Sequence, residues 1–123
     1  MTGETIQIVE DDGLIALNLT EILERAGYHA AEPAYSGEMV IKALEKFPKP
    51  DLILMDIGLA GKLNGIETAR QIRQHYDIPI LFLTARSERT NIEEAKSIPS
   101  CAYLDKPYLE KDLLAAIENC LRK

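Results

Sequence analysis

Strict alternation between two hydrophobic periods constrains this chain more than any other feature. Short apolar, β-rich runs stand at residues 5 to 9 (TIQIV), 52 to 55 (LILM) and 79 to 84 (PILFLT), with weaker ones at 29 to 34 (HAAEPA) and 101 to 105 (CAYLD). Such short runs, closed by turns, read as strands covered on both faces. Between them the spacing becomes helical. Ile15, Leu19, Ile22 and Ala26 form one apolar face, and Gly27 is a natural stop. Val40, Leu44 and Phe47 share a face after Ser36, and Pro48 and Pro50 end that segment. Asn64 and Glu67 have capping-box spacing at the head of a third helix ending near Tyr76. Thr90 and Glu93 have the same spacing in a fourth, over about 87–98, with a thin stripe of Ile92, Ala95 and Ile98. The last helix, from about Leu109 to Leu121, follows Leu113, Ala116, Ile117 and Cys120 and lacks a good N-cap.

Five strands each followed by a helix predict an α/β fold, a (βα)5 parallel sheet with helices on both faces. Right-handed crossovers carry every strand-to-helix loop to one edge. At 123 residues the chain suits a single domain, residues 1–123, with no output domain expected within it. The 14 Lys and Arg against 20 Asp and Glu give a net charge of −6, which opposes direct binding to nucleic acid or an anionic membrane. A protein partner or a small ligand is expected instead. No stretch approaches the ~20 apolar residues of a membrane span, and MTGETIQIVED lacks signal-peptide features. No membrane insertion is expected, and the cytoplasm is the default compartment. Cys101 and Cys120 have neither CxxC spacing nor an adjacent histidine, so reduced packing cysteines are expected. His29 and His75 read as ordinary surface or edge residues.

The acids converge on the edge where the strands exit. Glu10, Asp11 and Asp12 leave the first strand, Asp56 the third, Thr84 the fourth and Lys106 the fifth. Singly, each has an ordinary explanation as a helix cap, turn residue or polar loop. Together they repel, since two like charges 4 Å apart cost about 4 kcal/mol at an effective dielectric of 20. A cation belongs among them, and Mg²⁺ fits, because it takes oxygen ligands through one or two carboxylates plus phosphate. Asp56 could then attack phosphorus as a carboxylate nucleophile and form an acyl phosphate. Lys106 supplies a mobile point charge and Thr84 a hydroxyl donor to a phosphoryl oxygen.

The ordered set IVEDD, DLILMDIGL, NGIE, FLTA and YLDKPY resembles the response-regulator receiver domain of two-component phosphorelays, from Ile6 to Leu121. The resemblance implies a flavodoxin-like, doubly wound sheet with strand order 2-1-3-4-5. It implies Asp56 as phosphoacceptor, fed by the phosphohistidine of a sensor histidine kinase or histidine phosphotransfer protein. Glu10, Asp11, Asp56 and the Gly58 backbone carbonyl would hold Mg²⁺, with Asp12 a helix cap. Lys106, Thr84 and the Ala85 backbone N–H would receive the phosphoryl group. Thr84 and Tyr103 would act as the switch, altering the surface around the fourth helix and fifth strand, and the Lys106–Pro107 bond would be cis. The chain would be no enzyme beyond catalysing its own phosphorylation and dephosphorylation.

Two departures stand out: Ala60 where the family often has proline, and Gly65 nine residues after Asp56 where eight is usual. Gly58 leaves room for attacking water, and Arg86 is expected to shield the phosphoryl group. IGLAGKLNGIETARQI and IPILFLTA resemble single-domain or kinase-associated receivers more than DNA-binding ones. A phosphorylation-linked homodimer and an unidentified downstream protein remain open as outputs. A flavin module would need a phosphate-cradling loop where EDDGL presents carboxylates. An aspartate-based phosphatase would place its nucleophile on the first strand. The remaining rival is a phosphorylation-independent interaction domain on the same fold.

Overall fold

The computed structural model describes residues 3–85, 98 and 102–122. Five parallel strands form one sheet: β1 (Thr5–Val9), β2 (His29–Ala30), β3 (Leu52–Asp56), β4 (Ile80–Thr84) and β5 (Ala102–Asp105). Their order across the sheet is β2-β1-β3-β4-β5, with every pair parallel. The helices are α1 (Gly13–Arg25), α2 (Gly37–Lys46), α3 (Gly65–His75) and α4 (Glu110–Leu121). The helix expected over 87–98 lies outside the described residues except for Ile98, which is buried beside α2 and α3.

The two-residue period of the strands divides the core. On β3, Leu52 and Leu54 face a layer built from α1 and α4, including Leu19, Leu23, Leu113 and Ile117. Ile53 and Met55 face the opposite layer, with Val40 and Leu44 of α2 and Ile66, Ala69 and Ile72 of α3. Because β3 and β4 are covered on both faces, their sequences are continuously apolar rather than alternating, whereas β1 carries the polar Gln7 among its buried residues. Parallel crossovers then leave all the strand exits on one edge.

Local signals explain the boundaries. Asp12 caps α1 by accepting from the N–H groups of Leu14 and Ile15. Gly27, with φ at 96°, takes the left-handed conformation that ends it. Ser36 caps α2, and Asn64 with Glu67 forms a complete capping box on α3. Leu109 gives α4 no side-chain cap, as its sequence predicts.

Three expectations are corrected. Ile15 is exposed and Ala16 takes its place on the buried face of α1, which consists of Ala16, Leu19, Ile22 and Leu23. Phe47 is 66% exposed, since the chain leaves the helical conformation there before the prolines. Cys120 is not a reduced packing residue: it is buried against the α1–α4 layer and disulfide-bonded. Spacing along the chain says nothing about which residues a helix returning beside a sheet brings together. Cys101, the chain's other cysteine, lies outside the described residues.

Candidate functional site

β3 ends on Asp56, and the apolar residues before it hold its backbone in the sheet, so the carboxylate is fixed at the open edge. Only 6% of Asp56 is exposed. Its Oδ1 accepts from the Gly58 N–H at 3.1 Å and from Lys106 Nζ at 3.2 Å. Lys106 follows β5, whose Asp105 pairs in register with Thr84, and the Lys106 N–H donates to the Thr84 carbonyl at 2.9 Å. The lysine is thereby anchored at its backbone while its ammonium spans two strand exits.

The β1 exit supplies the other acids. Glu10, Asp11 and Asp56 each place one carboxylate oxygen within 4.8 Å of the others. Glu10 is 2% exposed. Its Oε2 accepts from the Asp12 N–H at 3.0 Å, while Oε1 is buried with no hydrogen-bond partner among the described residues. Burial above all, then the charge of Asp56, pushes Glu10 up to about 7, against the lowering effects of the Asp12 N–H and Lys106. Asp11 is exposed, and its Oδ2 accepts from the Ala60 N–H at 3.0 Å. An orphaned buried oxygen in a convergent set of three carboxylates fits a hard, oxygen-seeking divalent cation such as Mg²⁺.

Thr84 is fully buried, and its Oγ1 donates to the Ala85 carbonyl at 3.2 Å. Tyr103 lies half-buried with its ring stacked on Phe82, the centroids 5.5 Å apart and the planes 10° from parallel. The Lys106–Pro107 peptide bond is cis. The structure thus brings together Glu10, Asp11, Asp56, Gly58, Thr84, Ala85 and Lys106 on one edge; Arg86 lies outside the described residues.

Several contributors escaped the sequence. A Cβ at Gly65 would collide with the Asp56 carbonyl and lie 2.7 Å from Ile57 Cα, so the glycine lets α3 start directly against the Asp56 backbone. Tyr108 is half-buried in the field of the site. Burial raises its hydroxyl pKa, opposed by Lys106 and reinforced by Glu10 and Asp56. A tyrosine two residues beyond the lysine was the available signal. The Asp11–Ala60 bond had none, because loop backbone leaves no mark in side-chain patterns.

A doubly wound parallel sheet that presents a buried carboxylate, an acidic pair and a lysine at its open edge places the chain in the class of signalling receiver domains. The family model for the response regulator receiver domain matches residues 6–118, and the chain belongs to that family, the receiver domains of two-component signal transduction. It is 37% identical over 113 residues to the transcriptional regulatory protein PdtaR of Mycobacterium tuberculosis, covering 92% of this chain and 54% of that protein. It is 35% identical to the phosphate regulon transcriptional regulatory protein PhoB of Pseudomonas aeruginosa, covering 100% of this chain and 54% of PhoB. The chain therefore spans about half the length of these curated relatives. Among solved structures, the N-terminal domain of a response regulator/sensory box/GGDEF protein from Carboxydothermus hydrogenoformans superposes with a TM-score of 0.89 at 36% identity, covering 97% of this chain and 94% of that one. The signal receiver domain of a modulated diguanylate cyclase from Desulfovibrio desulfuricans gives 0.88 at 32% identity, with the same coverage of both chains. Among the described residues, no helix is long and apolar enough to cross a membrane.

Proposed function

We propose that Asp56 is the phosphoacceptor of a phosphorelay. The observation that carries this reading is the placement of the buried Asp56 carboxylate 3.2 Å from Lys106 Nζ and within 4.8 Å of the Glu10 and Asp11 carboxylates. A carboxylate oxygen of Asp56 attacks the phosphorus of a phosphohistidine on a sensor kinase or phosphotransfer protein. The P–N bond breaks, its electron pair stays on the imidazole nitrogen, and an acyl phosphate forms on Asp56. Lys106 follows the charge onto the phosphoryl oxygens, and the Thr84 hydroxyl and Ala85 N–H receive the others.

Glu10, Asp11, Asp56 and the Gly58 carbonyl are the groups that would hold Mg²⁺. When bound, the ion neutralises charge on the transferring group. Release of Thr84 Oγ1 from the Ala85 carbonyl toward the phosphoryl group would bias Tyr103, packed on Phe82 two residues back along β4, and so the surface beside β5. Gly58 leaves water access for hydrolysis, and Arg86 slows it. The chain acts as one receiver unit whose output is a protein contact, since a net charge of −6 opposes its own binding to nucleic acid. In this reading it is a regulatory phosphoacceptor rather than a metabolic enzyme.

The test is intact mass after incubation with Mg²⁺ and acetyl phosphate. One added phosphoryl group is expected on the parent with metal, and none on Asp56→Ala or the metal-free sample. No addition to the folded parent would overturn the reading in favour of a phosphorylation-independent interaction domain.

A further inference from the structure

A cavity of about 480 Å³ lies between α2 and the β2 edge of the sheet, built from residues outside the acidic cluster. Its size falls within the range of small-ligand sites. Pro33, Met39, Phe47 and Pro50 give it apolar walls, and the exposed Phe47 ring stands at its mouth. Lys42 and Lys46, one helical turn apart on α2, also line it, and neither has an ion-pair partner among the described residues. Lys49 also lines the cavity, but its Nζ lies over the Tyr76 ring, 5.2 Å from the centroid.

One polar group marks the inner wall. Gln7 is 5% exposed and lines the cavity. Its amide nitrogen donates to the Ile8 and Glu32 carbonyls, both at 2.9 Å. Its amide oxygen accepts no hydrogen bond among the described residues. The Gln7 amide therefore presents an unused acceptor beside apolar walls, with two cationic side chains at the rim. Glu32 is the one acid on the lining.

We infer that this cavity binds a small planar apolar molecule carrying one anionic group and a hydrogen-bond donor. Apolar walls and Phe47 take the planar body, Lys42 and Lys46 the anion, and the Gln7 oxygen the donor. The net charge of −6 repels an extended polyanion at long range, whereas a small monoanion within a Debye length of two lysines feels chiefly them. Strand addition is disfavoured as well, because β2 is two residues long and Pro33 removes a donor just beyond it. The site is independent of whether Asp56 accepts a phosphoryl group.

The test uses anilinonaphthalene sulfonate, an aromatic monoanion with one N–H, and its neutral relative phenylnaphthylamine. Saturable one-to-one binding is expected, with amide shifts in heteronuclear NMR confined to Ala31, Ala34, Ala43, Lys46 and their neighbours. Charge reversal in Lys42→Glu/Lys46→Glu, on an exposed helix face, should weaken the sulfonate about tenfold or more and leave the neutral probe little changed. Gln7→Leu should weaken both. Absence of saturable binding, shifts mapping elsewhere, or an affinity indifferent to charge reversal in a protein with unchanged circular dichroism would overturn the inference. Displacement of the probe by an acidic peptide at equal concentration would overturn it in favour of a peptide groove.

Discussion

Lys106 Nζ lies 3.2 Å from Asp56 Oδ1, and their side chains come from strand exits separated by the whole width of β4. On the proposed reading the pair is a resting arrangement in which the lysine holds the place of the positive charge that phosphoryl transfer would need. Lys106→Met removes the mobile charge and is expected to slow phosphoryl uptake from acetyl phosphate about a hundredfold. Time-resolved intact mass at saturating Mg²⁺ measures it, and an unchanged rate would remove Lys106 from the transfer step.

Metal-free stability should depend on pH through Glu10. Its pKa is about 7 in the folded chain against an ordinary 4.5, so the folded state holds a proton that the unfolded chain releases. The stability this gives is fully present below about pH 4.5 and lost as pH rises through about 7. It amounts to on the order of 2 kcal/mol once screening by water at the open edge is allowed for. Thermal melts across that window should show a decline that Glu10→Gln flattens. Mg²⁺, which selects the ionised carboxylate, should raise the melting temperature most at the alkaline end.

Gly65 meets the backbone of the proposed acceptor more closely than any side chain could. Gly65→Ala forces a Cβ against the Asp56 carbonyl and Ile57 Cα, and is expected to cost about 1 to 3 kcal/mol in urea unfolding. Phosphoryl uptake should fall with it, since the strand exit must shift to make room. Gly13→Ala, where an added Cβ meets nothing within 4 Å, serves as the control and should be neutral or mildly stabilising.

Reduction should be measurable at Cys120. The denatured protein is expected to show no free thiol before reductant, and reduction should destabilise the native chain by about 2 to 4 kcal/mol. Thiol titration and melts with and without reductant check both, and a free thiol before reduction would sink the expectation.

The architecture was legible in the sequence because its information is local. Continuous apolar runs, helical spacing and the capping pattern at Asn64 and Glu67 each act within a few residues, and five such alternations admit few folds. The acids at the strand exits were legible for the same reason: right-handed crossovers send every such loop to one edge, so position along the chain predicts position on the sheet. Ile15 was misplaced because a four-residue face tolerates rotation of the helix about its axis, and only packing against neighbours selects the angle; Phe47 was misplaced because the backbone turns extended at that residue and leaves α2.

What the sequence by itself determined was the inventory: β/α alternation, an acid ending β3, and an acidic pair, a threonine and a lysine at the other exits. Tertiary structure decided how these groups engage one another. It buried one oxygen of Glu10 without a partner and raised its pKa, and it set Lys106 against Asp56. It also tied Ala60 to Asp11, put Cys120 in a disulfide, and opened a lysine-rimmed cavity beside β2. The physical reason is range. Periodicity and capping act over one or two helical turns, whereas desolvation, charge pairing and cavities depend on residues that only the closed sheet brings within a few ångströms.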